Sequence, residues 1–130
     1  MPLADYCSPD AILCNLEAAD KEDALAQLVN ALVASKQIPR AKAKAILNEV
    51  IDRERQASTG IGRGIGIPHA RSAQVGRIVM AVGRVPMGVD FGAVDGERVR
   101  VILLLISPVD RTDEHLAAMR AIVRMARDPY

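Results

Sequence analysis

A chain of 130 residues that is 50% hydrophobic, with 17 Lys and Arg against 16 Asp and Glu and only two cysteines, has the size of one domain and a core that needs no disulfide framework. Its net charge of +1 and its single Phe, two Tyr and absent Trp exclude a broad nucleic-acid footprint and a stacking platform for single strands. The longest apolar run, 101–106, is far below a membrane span and no targeting segment is legible, so a cytoplasmic protein without membrane insertion is expected.

In chain order, the first signal is a weak strand around Ala11 to Leu16. Asp20 then reads as a helix cap with Asp23 at the third helical position, and Leu25, Leu28, Val29, Leu32 and Val33 recur on one face. Pro39 closes the linker that follows. A second helix is predicted from about Arg40 to Gln56, with Ala43, Ile46, Leu47 and Val50 as its apolar stripe and Arg53 and Glu54 in its last turns. Its end delivers Arg53 toward the stretch STGIGRGIGIPHARS.

From Ser58 the period changes. Gly60, Gly62, Gly64 and Gly66 occupy alternate positions among Ile61, Ile65 and Ile67, and each glycine would cost a helix interior about 1 kcal/mol relative to alanine. A short strand or extended loop is therefore predicted. Further strands are expected at Ile78 to Val82 and at Val99 to Ile106, the latter apolar enough to be covered on both faces. The intervening RVPMGVDFGAVDGE is rich in turn signals, with Asp95-Gly96 as a tight turn. Thr112 is expected to cap a last helix that buries Leu116, Met119, Ile122 and Val123, carries His115 in its first turn and stops at Pro129. These elements predict an α/β fold, a mixed β-sheet sandwiched by helices in a single domain spanning 1–130.

The glycine-rich stretch lacks the Lys-Ser/Thr of a phosphate-binding loop and the Gly-x-Gly-x-x-Gly spacing, and it precedes a strand rather than opening a helix. Cys7, Cys14, His69 and His115 have no metal-site spacing. No nucleotide, other cofactor or metal is expected. His69 has a sharper reading, because near neutral pH an imidazole is both a nitrogen nucleophile and a good leaving group for a phosphoryl unit. Such a site needs one ring nitrogen open, the other held by a hydrogen bond, and cationic or N-H groups around the phosphoryl oxygens. Arg53, Ser58, Thr59 and the loop backbone at Gly60 are the candidates for those roles. The bland readings are a turn residue for His69, a helix-start surface residue for His115 and a solvated face for Arg53.

The segment IDRERQASTGIGRGIGIPHAR, residues 51–71, resembles the active-site segment of the type 2 EIIA domains of the bacterial phosphoenolpyruvate-dependent phosphotransferase system, the fructose, mannitol and nitrogen-regulatory class. There the segment reads Arg-Glu, a few residues, Ser-Thr-Gly-Ile-Gly, then alternating small and branched residues ending in Pro-His-Gly or Pro-His-Ala. KEDALAQLVNAL is similar to the family's first helix, and DFGAVDGERVRVILLLISPVDRTDEHLAAM to its later strand, loop and His-Leu helix start.

The resemblance implies that His69 takes the phosphoryl group from the phosphocarrier HPr, that His115 is the second histidine beside it, that Arg53 approaches the site, and that Ser58 or Thr59 stands near the phosphoryl oxygens. It implies a phosphotransferase component that passes the group to an EIIB component. The alternative within the family is a stand-alone nitrogen-regulatory protein whose phosphorylation state controls binding to partner proteins, and a third reading is an interaction protein that has lost phosphorylation. The chain departs from the pattern at Gly66, where alanine is common, at Arg63, often asparagine, and at Ala70, commonly glycine. Family domains also usually continue past the last helix with another helical segment, so the domain is expected to be short at its C-terminus.

Overall fold

The computed structural model describes residues 3–127. Its sheet is organised around the most apolar stretch of the chain, β6 (Val99–Pro108), in which Ile102, Leu104, Leu105 and Ile106 have no exposed surface. β5 (Val79–Val89) lies antiparallel on one edge of it, and β1 (Cys7–Leu13) runs parallel to β5 at the sheet margin. The other edge of β6 is taken in succession by β3 (Ile65–Gly66) and β4 (His69–Ser72), both parallel to it, with β2 (Gly60–Gly62) antiparallel to β3. The domain is thus a single α/β unit with a mixed sheet flanked by helices. The register sets His69 opposite Leu105 and Arg71 opposite Ser107.

α1 (Lys21–Ala34) and α2 (Ala43–Gln56) cover one face of the sheet, and α3 (Thr112–Arg127) packs on the other. α1 starts as its sequence predicts: the Asp20 carboxylate accepts from Asp23 N at 2.8 Å. It ends at Ser35 with Lys36 in the left-handed region, φ 64, where Lys36 N and Gln37 N satisfy the carbonyls of Val33 and Leu32. The glycine stretch folds back on itself as a hairpin. Arg63 and Gly64, at φ 58 and 75, form the two-residue loop whose positive φ values match the strand twist, and Asp95 accepts from Arg63 N at 3.1 Å.

Several expectations shift in detail. The first strand is Cys7–Leu13 rather than Ala11 to Leu16; Pro9 is tolerated because the strand lies at the sheet margin, where pairing with β5 is broken between Cys7 and Ile12. Residues Arg40–Lys42 form a 3-10 turn before α2 begins. β5 continues past Val82 to Val89; its register on β6 shifts between Arg84 and Val89, so the missing N-H of Pro86 interrupts no regular pairing. The tight turn forms between Ala93 and Gly96, whose N donates to Ala93 O at 3.0 Å.

α3 departs most. Thr112 opens the helix rather than capping it, since the first helical bond runs from His115 N to Arg111 O. Its fully buried positions are His115, Ala118 and Ile122, with Met119 and Val123 packed beside them as expected, whereas Leu116 is 47% exposed. The polar His115 occupies the position that a purely apolar stripe would assign to its neighbour. The predicted stop at Pro129 lies outside the described residues.

Candidate functional site

A cleft of about 470 Å³ opens where the C-terminal end of α2, strand β4 and the start of α3 meet, lined by Arg53, Asp52 and Glu49 from α2, His69 and Arg71 from β4, and His115 from α3. The structure therefore brings together the three residues the sequence put forward as catalytic. Each arrives for a local reason. Arg53 follows the last full turn of the stripe Ile46–Val50 and reaches forward to the helix end, where its guanidinium donates to Ala57 O at 3.1 Å. His69 opens a strand fixed in register on β6.

The two imidazoles lie 5.7 Å apart between centroids, tilted by 51°. His69 is half-buried and its Nδ1 is 2.8 Å from Ile67 O. A carbonyl oxygen only accepts, so Nδ1 carries the proton and Nε2 keeps its lone pair. Burial lowers the His69 pKa; the Ile67 bond acts against this, the nearby Arg53 charge adds to it and Glu54 opposes it. The ring is thereby kept neutral and nucleophilic near pH 7. His115 is also held below the ordinary histidine value, first by burial and then by His69 and Arg71. It is not the surface residue of the bland reading, being 6% exposed with Nδ1 2.6 Å from the Ser107 hydroxyl.

Ser58, Thr59 and Gly60 have other engagements. The Ser58 hydroxyl donates to Phe91 O at 2.6 Å, and both the N-H and the hydroxyl of Thr59 donate to the Glu54 carboxylate, at 2.9 and 2.5 Å. A Cβ on Gly60 would stand 2.7 Å from Ala93 Cβ and 3.0 Å from its Cα, so glycine is required there for close approach of two backbone segments. These residues shape the loop that leads to His69.

Two side chains to which the sequence assigns no role, Glu54 and Arg71, belong to this region. Glu54 is only 5% exposed and also pairs with Lys21 Nζ at 2.9 Å; the four-residue step Ile46, Val50, Glu54 is the signal that it points inward. Arg71 stands two places beyond His69 on an extended segment and so shares its face. Its guanidinium donates to Val109 O and to the Thr112 hydroxyl, joining β4 to the start of α3. On the opposite side Ser72 donates to Glu49 at 2.7 Å, joining β4 to α2. Among the described residues no three His, Cys, Asp or Glu side chains gather as a metal site, and no helix is long and apolar enough to cross a membrane.

Over residues 5–130 the chain matches the family described as phosphoenolpyruvate-dependent sugar phosphotransferase system, EIIA 2. It is 30% identical to a nitrogen regulatory protein of Bradyrhizobium diazoefficiens, over 98% of this chain and 82% of that one. It is 33% identical to the fructose-specific EIIABC component of Bacillus subtilis, over 92% of this chain but 18% of that much longer one. Among solved structures, nitrogen regulatory protein IIA-Ntr from Neisseria meningitidis matches with a TM-score of 0.87 at 26% identity, covering 98% of this chain and 85% of that one. The mannitol IIA of Escherichia coli shares the fold, with a TM-score of 0.78 at 21% identity over 93% of this chain and 83% of that one.

Proposed function

The chain belongs to the EIIA type 2 family of the phosphoenolpyruvate-dependent sugar phosphotransferase system, whose members relay phosphoryl groups, and we propose that it does so through Nε2 of His69. The observation that carries this reading is the Nδ1 contact to Ile67 O at 2.8 Å, which leaves the opposite nitrogen as the nucleophile in a cleft that also holds Arg53 and His115.

In the proposed step, the phosphohistidine of HPr presents its phosphorus in line with His69 Nε2. The Nε2 lone pair forms the new P-N bond while the bond to the donor nitrogen breaks and its electron pair returns to the donor imidazole. Arg53 and His115 stabilise the oxygens as charge redistributes. The remaining work is positioning, which the Ile67 carbonyl supplies at Nδ1 and Glu54 supplies by holding Thr59 and the loop behind it. The group then leaves for an EIIB component by the reverse displacement. The test is intact-mass analysis after incubation with phosphoenolpyruvate, Enzyme I and HPr at neutral to alkaline pH. One added phosphoryl mass, absent from His69→Ala, is expected; no added mass on folded wild-type protein would refute the relay.

A second reading of the acceptor is favoured by the nitrogen regulatory protein matched along nearly the whole chain. In it the phosphorylation state of His69 controls binding to a regulatory target protein. Transfer from the phosphorylated protein to EIIB components, assayed beside pull-down of partners by the two phosphorylation states, separates the two.

A further inference from the structure

We propose that Ser107 is a positioning residue that fixes His115 in the tautomer with its proton on Nε2, so that the second histidine is a neutral hydrogen-bond donor to the phosphoryl group. The proposal rests on the reading of His69 as the phosphorylated residue and adds a residue and a role to it.

The observations begin with β6. Ser107 interrupts an otherwise apolar run, has no exposed surface, and shares the strand face of Leu103 and Leu105 on which α3 packs. A buried hydroxyl needs an acceptor for its proton, and leaving it without one costs about 1–3 kcal/mol. Among the described residues the partner of Ser107 Oγ is His115 Nδ1, at 2.6 Å. If Nδ1 carried the imidazole proton, Ser107 Oγ would accept it and the hydroxyl's own proton would have to turn toward the apolar side chains packed on that face. With Nδ1 unprotonated, the hydroxyl donates to it and both groups are satisfied. The neutral ring must then hold its proton on Nε2, the nitrogen left for the cleft that His115 lines.

The two histidines are consequently prepared in opposite senses. Ile67 O, which can only accept, places the proton of His69 on Nδ1 and frees Nε2 to attack. Ser107 Oγ, whose proton needs an acceptor, places the proton of His115 on Nε2 and makes it a donor. A neutral donor suits a group that must be passed on: it stabilises the phosphoryl oxygens without the full cationic attraction that would hold them. Burial and the neighbouring Arg71 also oppose a charged His115.

The tautomer is read by long-range proton–nitrogen correlation NMR on the unphosphorylated protein, and the rate of phosphorylation by phospho-HPr on the same samples. Wild type is expected to show His115 protonated on Nε2 and His69 on Nδ1. Ser107→Ala is expected to move His115 toward the Nδ1 form and to slow transfer about tenfold, the worth of one hydrogen bond to a charged group. Ser107→Thr, which keeps the hydroxyl, restores both. A wild-type His115 protonated on Nδ1 overturns the proposal whatever the variants do, as does Ser107→Ala with an unchanged tautomer and rate. A wild-type protein that takes no phosphoryl group at His69 refutes the relay itself, and the spectra of the unphosphorylated ring still report separately on Ser107.

Discussion

The two faces of the sheet solve the same problem with opposite means. Each delivers a polar side chain inward at the cleft end of its helix. On the α2 face it is Glu54, which meets Lys21 Nζ at 2.9 Å and takes two further hydrogen bonds from Thr59. On the α3 face it is His115, held by the single Ser107 hydroxyl. A buried carboxylate is stable only with a countercharge and most of its lone pairs satisfied, whereas a neutral ring needs one good partner. The charged device therefore anchors the loop, and the neutral one is left free for the proposed transfer.

That contrast predicts that breaking the α2 device damages the fold while breaking the cleft damages the transfer. The largest stability effect is expected for Glu54→Ala, which strands Lys21 and the buried Thr59 donors. A loss of about 3 kcal/mol is expected for such a broken pair, measured as a lowered urea midpoint with an unchanged slope; a loss below about 1 kcal/mol would mean the pair is not structural. Arg53→Ala should instead leave the urea midpoint nearly unchanged and slow phosphorylation about 100-fold, in the range for one oxyanion-stabilising donor. Single-turnover transfer from phospho-HPr measures it, and an unaffected rate would remove Arg53 from the site.

Gly60→Ala tests the loop between the two devices. Its Cβ would meet Ala93 at 2.7 Å, and about 1–3 kcal/mol of destabilisation is expected from overpacking against backbone. A thermal unfolding midpoint equal to wild type would count against that close approach. The smallest effect concerns pH. The His69 pKa is lowered, chiefly by burial, so the folded ring binds its second proton only below the ordinary value of about 6.5. Phosphorylation is retained down through that value and lost as pH falls through the depressed folded pKa, and the stability contributed by the neutral ring is lost in the same direction. An acid limb at or above 6.5 in the rate profile would contradict the assignment.

Much of this architecture was legible in the residues themselves. The nearly continuous apolar stretch VRVILLLIS required a strand buried on both faces, and Asp20 with the spacing of Leu25, Leu28 and Leu32 required α1. His69 was legible as a candidate because imidazoles are few and it follows a stretch that only an extended chain accommodates, whereas His115 read as a helix-start surface residue and entered the site only through the family resemblance. What was hidden depended on tertiary partners. The step Ile46, Val50, Glu54 turns Glu54 inward, but the partner that makes a buried carboxylate acceptable, Lys21, is 33 residues away in sequence and is known only from the fold. Ser107 reads as the end of a strand until α3 turns His115 onto it. On α3 the stripe Met119, Ile122 and Val123 packs inward as its spacing implies, and only Leu116 departs: it is the more apolar residue, but the histidine beside it has a buried partner.

The central claim is that the Ile67 carbonyl leaves Nε2 of His69 as the nucleophile. Phosphorus–nitrogen NMR of the phosphorylated, nitrogen-15-labelled protein at alkaline pH tests it directly. A phosphorus coupled to Nε2 of His69, with Nδ1 still unmodified, is the predicted result. Phosphorus on Nδ1 of His69, or on His115, would contradict it.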